Sequence, residues 1–133
     1  EDVNAVTFTG SVPVGGKVAQ RATSQIKKCV LELGGSDPFI VCEDADIEKA
    51  STGAVKGRFI NNGQSCIASK RFIVMDSVHE EFIEKLKYRV QSLQVGDPGD
   101  EDTQIGVLAR ADLADELNNQ VEASLALGAK RLL

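Results

Sequence analysis

Residues 29–42 read CVLELGGSDPFIVC, two apolar runs separated by a glycine pair and a short polar turn. The runs at 29–33 and 38–42 are nearly continuous in aliphatic and aromatic residues, a pattern typical of strands in a parallel sheet that is covered on both faces. The Gly34-Gly35 pair ends the first run, since glycine weakens a strand interior. The stretch therefore predicts two buried strands and, with helical patterns on both sides, an α/β fold.

The segments before this stretch predict a strand and a helix. Residues 5–9 form a short β-type run closed by Gly10, and residues 17–28 carry apolar side chains at helical spacing. Ser11 is a suitable N-cap for this helix. The two lysines that end the segment would lie near the helix C-terminus, where positive charge suits the helix dipole.

The segments after it predict three helices and one strand. A helix capped by Asp46 extends to about residue 59, and the apolar run at 71–75 predicts another buried strand. Ser77 caps a strongly amphipathic helix, and residues 110–127 form a second one. The predicted order is strand, helix, strand, strand, helix, strand, helix, helix.

Composition narrows the class of protein. The 133 residues include 15 basic and 20 acidic side chains, a net charge of −5, and 42% of the residues are hydrophobic, which favours a globular chain. No apolar run approaches the roughly 18–20 residues of a membrane span, and no cluster of Lys and Arg is present. We therefore predict no nucleic-acid and no membrane partner. Since the only methionine is Met75, we also expect an internal piece of a longer protein.

The three cysteines differ in their surroundings. Cys29 and Cys42 lie in apolar runs, which predicts buried, inert thiols. Cys66 lies in a polar, glycine-containing segment and is a candidate nucleophile, although a plain loop cysteine fits the same pattern. Neither a C-x-x-C motif nor a second histidine beside His79 is present, so we predict no metal site.

Two further patterns are candidates for chemistry. Residues 8–15, FTGSVPVG, join a strand to a helix, and such a junction can present backbone N–H groups to a phosphate. An ordinary glycine-rich turn would look the same. Glu32 lies at the end of an apolar strand, where apolar surroundings would raise its pKa toward that of a general base. The alternative is a carboxylate held by neighbouring backbone N–H groups.

Together these motifs resemble one family. They are Phe8-Thr9-Gly10-Ser11, Leu31-Glu32-Leu33-Gly34-Gly35, Asp44-Ala45-Asp46, Asn62-Gly63-Gln64-Ser65-Cys66 and Arg71. Their order, and the 34-residue separation of Glu32 and Cys66, are similar to the central block of the NAD(P)-dependent aldehyde dehydrogenase superfamily. The variant at 34–41, GGSDPFIV, most resembles bacterial succinate-semialdehyde dehydrogenases.

The resemblance implies roles for named residues. Cys66 would attack an aldehyde to give a thiohemiacetal and then a thioester, and Glu32 would activate the water that hydrolyses it. The pairs Gly10-Ser11 and Leu33-Gly34 would lie near the pyrophosphate and the nicotinamide of NAD or NADP. The neighbours of the nucleophile, Ser65 and Ile67, would line the aldehyde pocket, while Asn62 and Gln64 would shape the turn.

The resemblance also implies an organisation. An aldehyde dehydrogenase-like three-layer fold would place residues 1–34 at the end of the Rossmann-like cofactor domain and residues 35–133 at the start of the catalytic domain. We expect these residues alone to be inactive and the full-length protein to be a homo-oligomer. Free cysteines without a signal peptide favour the cytoplasm.

Three alternatives stay open at the level of sequence. The substrate could be a general aldehyde or another semialdehyde in place of succinic semialdehyde. The chain could belong to a non-catalytic relative with a binding or structural role, although it retains both Cys66 and Glu32. A thiol redox or acyl-transfer protein built around Cys66 would lack a resolving cysteine at close spacing.

Overall fold

The computed structural model describes residues 2–133 and divides the chain into two compact units, one ending at Ser36 and the other beginning at Asp37. Across the described residues the order of strands and helices is the predicted one. No helix within residues 2–133 is both long enough and apolar enough to cross a bilayer.

The first unit is a strand–helix–strand motif. Strands β1 (Ala5–Gly10) and β2 (Lys28–Leu33) pair in parallel, and helix α1 (Val12–Thr23) connects them. Gly15 of α1 is buried, and a Cβ at this position would lie 2.5 Å from Cδ2 of Leu33. The missing side chain therefore allows α1 to pack closely on β2.

The predicted N-cap of α1, Ser11, is confirmed, whereas the predicted C-terminal end of the helix is wrong. The helix begins at Val12, directly after Ser11, because a proline is tolerated in its first turn. It ends at Thr23 rather than at residue 28, since Ile26 takes a left-handed φ of 56° and is 97% exposed. Lys28 already belongs to β2.

The second unit contains a parallel strand pair and three helices. Its elements are β3 (Asp37–Val41), α2 (Ile47–Phe59), β4 (Ser69–Val74), α3 (Asp76–Gln91) and α4 (Ala111–Ala126). Strands β3 and β4 pair in parallel, and helices α2 and α3 pack against each other and against β4. The parallel pairing of both strand pairs confirms the class predicted from the apolar runs.

The core of the second unit lies between the strand pair and the helices α2 and α3. Phe82, Val41, Ala54 and Ile47 are its buried members. The ring of Phe72 lies 6.4 Å from that of Phe82 between centroids, so the aromatic contacts continue from α3 into β4. Burial of a Phe ring of this kind dominates the packing energy of a small core.

An ion cluster joins α2 to α3 at the surface. Glu48 accepts from Lys85 at 2.5 Å and from Arg89, whose Nε also donates to the buried hydroxyl of Ser51 at 2.9 Å. The hydrogen bond from Lys85 is the main cause that holds the pKa of Glu48 below its ordinary value, and the bond to Glu48 raises the pKa of Lys85. The cluster fixes the relative position of the two helices.

The caps were predicted with mixed success. Asp46 is the N-cap of α2, and its side chain accepts from the Lys49 N–H at 3.1 Å, as predicted. Ser77 is not a cap, because α3 begins one residue earlier and Met75 precedes it in extended conformation.

Burial of the strands is more one-sided than predicted. Along the strands of both pairs, side chains on one face are more buried than those on the other. The apolar side chains on the open faces include Val30, which is 58% exposed, Ile40, which is 63% exposed, and Ile73, which is 51% exposed. Cys42 is also exposed, contrary to the prediction of a buried thiol, because it follows the buried Val41 and points away from the core. Taken by itself and within residues 2–133, each unit has helices on one face of its strand pair only.

Candidate functional site

Cys66 lies in the connection between α2 and β4, residues 60–68, which we call the Cys66 loop. Its first turn contains three consecutive left-handed residues, with φ of 52° at Asn61, 54° at Asn62 and 76° at Gly63. Asparagine and glycine are the residues that tolerate this conformation best. The sequence therefore folds locally into a sharp reversal just before Cys66.

Arg58, in the last turn of α2, closes the base of the Cys66 loop. Its guanidinium donates to the carbonyl of Gly63 at 2.6 Å and to the carbonyl of Ser69 at 2.8 Å. These two acceptors lie on either side of Cys66 in the chain. One cation thus holds both ends of the loop together.

Lys70 holds the tip of the Cys66 loop. Its ammonium donates to the carbonyls of Ser65, Cys66 and Ala68 at 3.4, 3.3 and 3.2 Å. The Ala68 N–H also donates to the Ser65 carbonyl at 3.1 Å. The peptide groups next to the thiol are therefore anchored on their carbonyl side.

Two side chains of the Cys66 loop bind the segment 106–109. Asn62 donates from Nδ2 to the Val107 carbonyl at 3.3 Å and accepts the Gly106 N–H at 3.1 Å. Gln64 accepts the Ala109 N–H at 3.0 Å. Both residues shape the loop, as expected, by tying it to a segment more than forty residues further along the chain.

The candidate nucleophile is accessible. Cys66 is exposed, Ile67 is 68% exposed and Ser65 is half-buried. A groove of about 650 Å³ runs beside the loop, between Gln64 and Lys70 on one side and Leu113 and Leu117 of α4 on the other. The structure thus brings Ser65, Cys66 and Ile67 together on one exposed turn.

The other predicted site residues lie in the first unit, at the carboxyl ends of its two strands. Gly10 pairs in register with Leu33, and Thr9 pairs with Glu32. Parallel strands commonly bind ligands at this edge. The apolar surroundings expected for Glu32 are absent within this unit, because alternation along β2 puts Glu32 on the exposed face.

Ser11 and Gly34 complete this edge. Ser11 is the N-cap of α1 without a side-chain capping bond, and the first turn of α1 contains no acidic residue. A Cβ at Gly34 would meet no atom within 4 Å. The edge therefore presents backbone and the positive end of a helix, which suits an anion.

Sequence reasoning missed Arg58 and Lys70. Both act through contacts with loop carbonyls, and no residue pattern in the sequence signals such contacts. The nearest signal is the position of Lys70, four residues after Cys66. Residues 2–133 contain no group of three or more His, Cys, Asp or Glu side chains that could hold a metal ion.

Comparison with known proteins decides the family. The model of the aldehyde dehydrogenase family matches residues 1–133, the whole chain. This protein belongs to the aldehyde dehydrogenase family. The resemblance noted in the motifs is thereby confirmed.

Among curated aldehyde dehydrogenases, similar relatives carry succinate-semialdehyde dehydrogenase names. The chain is 51% identical over 131 residues to the NAD(P)+-dependent succinate semialdehyde dehydrogenase of Escherichia coli, covering 98% of this chain and 28% of that enzyme. It is 55% identical over 127 residues to a probable NADP+-dependent succinate-semialdehyde dehydrogenase of Synechocystis, and the match covers 96% of this chain and 28% of that enzyme. The chain thus spans a little over a quarter of the length of these relatives.

Solved aldehyde dehydrogenases have the same fold. Succinate-semialdehyde dehydrogenase from Burkholderia pseudomallei superimposes with a TM-score of 0.94 at 35% identity, covering 98% of this chain and 27% of that one. Lactaldehyde dehydrogenase from Escherichia coli superimposes with a TM-score of 0.94 at 35% identity, and the match covers 98% of this chain and 28% of that one. The predicted aldehyde dehydrogenase-like α/β fold is confirmed.

Proposed function

We propose that the protein containing this chain oxidises an aldehyde to the carboxylic acid with Cys66 as nucleophile and NAD or NADP as hydride acceptor. The observation that carries the proposal is the exposed Cys66 on an anchored loop, in a chain that belongs to the aldehyde dehydrogenase family. A thiol on an accessible, fixed turn suits attack on a small carbonyl compound.

Succinic semialdehyde is the substrate we propose first. Support comes from the names of the relatives at 51% and 55% identity. Another semialdehyde or a general aldehyde is the alternative within the family. Comparing kcat/KM for succinic semialdehyde with that for an uncharged aldehyde of equal length decides between them, and equal values would contradict the first choice.

The first unit fits part of a dinucleotide cofactor. The open space at Gly34 and the free N-terminal turn of α1 leave room for a pyrophosphate and a nicotinamide beside backbone. We propose that Gly10 and Ser11 lie at the pyrophosphate and that Leu33 and Gly34 lie at the nicotinamide. The bound nicotinamide would accept the hydride that the substrate loses.

Cys66 and Glu32 would divide the chemistry. The Cys66 sulfur adds to the aldehyde carbon, and the backbone N–H of Cys66 donates to the oxygen that becomes negative. Loss of hydride from the thiohemiacetal carbon leaves a thioester on Cys66. Glu32 then takes a proton from water, the resulting hydroxide attacks the thioester, and the acid leaves with the thiol restored.

The two compact units suggest how the chain is divided. We propose that residues 1–34 belong to the cofactor domain and residues 35–133 to the catalytic domain, where Ser65 and Ile67 line the aldehyde pocket. We also propose that these residues alone have no dehydrogenase activity, because they span a little over a quarter of their relatives. A homo-oligomeric protein in the cytoplasm completes the proposal, and the three free thiols suit a reducing compartment.

The nucleophile is tested by comparing two exposed cysteines. Cys66→Ala in the full-length protein should abolish aldehyde-dependent NAD(P)H formation, measured by absorbance. Cys42→Ala, also at an exposed thiol, should leave the rate unchanged. Full activity in Cys66→Ala would contradict the assignment, and so would equal losses in both variants.

The base is tested by separating the two half-reactions. Glu32→Gln removes the proton acceptor and leaves Cys66 in place. A rapid burst of NAD(P)H should persist in stopped flow, while the steady-state rate falls because the thioester is hydrolysed slowly. An unchanged steady-state rate would remove Glu32 from this role.

A further inference from the structure

We propose that Lys70 is a positioning residue, which directs the backbone N–H of Cys66 toward the reacting oxygen by binding the carbonyl groups on the opposite side of the loop. This inference rests on the proposed function, because it concerns the same nucleophile. It adds a residue that no motif in the sequence indicates.

The hydrogen-bond partners of Lys70 all belong to the Cys66 loop. A lysine ammonium has three N–H donors and no acceptor. In this structure it lies within hydrogen-bonding distance of three carbonyls, those of Ser65, Cys66 and Ala68, at 3.2 to 3.4 Å. All three acceptors are in the turn that carries the thiol, so the side chain is committed to this turn.

The geometry of a peptide group links these carbonyls to the Cys66 N–H. In a trans peptide, the C=O of one residue and the N–H of the next point in opposite directions. No cis peptide is present among the described residues. The Ser65 carbonyl points toward Lys70 and the Ala68 N–H, so the Cys66 N–H in the same peptide plane points the opposite way.

The peptide group that follows Cys66 is held by the same side chain. Its carbonyl is also bound by Lys70, at 3.3 Å. Both peptide planes next to Cys66 are therefore fixed by one cation. Without it, the Ser65 carbonyl would keep only the bond from the Ala68 N–H, and the Cys66 carbonyl would lose its bond to Lys70, so the direction of the Cys66 N–H would be held less firmly.

The direction of this N–H matters because the thiohemiacetal oxygen carries charge. Removing one oxyanion donor typically lowers kcat about 10²- to 10³-fold. If the donor stays in place but points in the wrong direction, kcat should fall by a smaller factor than when the donor is removed. We expect a fall in kcat of roughly 10- to 100-fold when Lys70 loses its donors.

The experiment uses four variants of the full-length enzyme. Lys70→Met keeps the length of the side chain without its donors, Lys70→Arg keeps several donors and the charge, and Lys70→Gln keeps two donors without charge. Lys56→Met is the control, at an exposed lysine of α2. Circular dichroism of each variant is compared with that of the unchanged enzyme.

Two readouts separate orientation from other roles. In Lys70→Met, kcat should fall with little change in KM, Lys70→Arg should regain most of the rate, and Lys56→Met should match the unchanged enzyme. Alkylation of Cys66 by iodoacetamide should change less than about threefold in Lys70→Met, because this substitution reaction develops no oxyanion.

The outcomes that overturn the proposal are distinct. Full kcat in Lys70→Met would overturn it, and so would a parallel loss of alkylation rate, which would indicate a direct effect on the thiol. If Lys70→Met does not fold, Lys70→Arg and Lys70→Gln decide, because the Gln amide is one bond shorter than the Lys side chain and its two donors cannot reach all three carbonyls. The rate of the unchanged enzyme in Lys70→Arg with a loss in Lys70→Gln supports the proposal, and full activity in Lys70→Gln overturns it. An unchanged enzyme that oxidises no aldehyde would refute the proposed function and this inference together, whereas activity in both it and Lys70→Met would refute this inference alone.

Discussion

Gly63 is the position at which a single added methyl group should disturb the Cys66 loop most. Its φ is +76°, and a Cβ there would lie 2.7 Å from Nη2 of Arg58 and 3.3 Å from the Arg58 carbonyl. Gly63→Ala therefore imposes a left-handed alanine and displaces the guanidinium that closes the loop. Both effects act in the second unit.

The loss of stability expected for Gly63→Ala is the sum of these two contributions. A left-handed conformation costs a non-glycine residue about 1–2 kcal/mol. Loss of a hydrogen bond with a charged donor costs about 1.5–3 kcal/mol. The free energy of unfolding should fall by about 2.5–5 kcal/mol, a large share of the roughly 5–15 kcal/mol typical of a domain.

Two other glycines of the same unit separate the contributions. Gly128 has a φ of +96°, and a Cβ added there would meet no atom within 4 Å, so Gly128→Ala should cost only the backbone part. Gly53 lies inside α2, where an added Cβ would be at ordinary contact distance, 3.8 Å, from Phe39, so Gly53→Ala should stabilise by up to about 1 kcal/mol. Urea unfolding followed by circular dichroism measures all three. Equal losses for Gly63→Ala and Gly128→Ala would refute the part assigned to Arg58.

Two further predictions concern α2 and α3. Phe82→Ala should lower the free energy of unfolding by about 3–5 kcal/mol, because Phe82 is fully buried, whereas Tyr88→Ala on the same helix, at 75% exposure, should stay within about 0.5 kcal/mol in urea unfolding; similar values for both would contradict the assigned core. Because its ion pairs lower the pKa of Glu48 in the folded state, the stability they contribute is present above the ordinary value of 4.5 and is lost as the pH falls through the folded pKa. In Glu48→Gln, the free energy of unfolding should therefore fall less steeply as the pH is lowered below 4.5. An unchanged pH dependence would contradict a stabilising role of the ion pairs of Glu48.

The order of strands and helices could be predicted because its signals are local. Continuous apolar runs marked β3 and β4, and the spacing of Val78, Phe82 and Leu86 marked α3. Asp46 is a cap that needs only the next three residues. Such features depend on neighbours in the chain, so one sequence suffices to predict them.

The errors arose where distant contacts decide the structure. Apolar spacing marked α1 only from residue 17, and the place of Gly15 in that helix depends on contact with Leu33 eighteen residues later. Exposure of Cys42 depends on which side of β3 faces α2 and α3. Arg58 and Lys70 bind backbone carbonyls, and carbonyl positions follow from the fold rather than from residue types.

The dipeptide Asn62-Gly63 has a consequence for the chemical ageing of the protein. In a flexible chain, the nitrogen of a glycine after asparagine readily attacks the side-chain amide carbon, and the asparagine becomes aspartate or isoaspartate. Here both ends of the Asn62 amide are held by residues 106 and 107. Deamidation would have to wait for local opening of the loop, so the lifetime of this asparagine should report how often the Cys66 loop leaves its folded state.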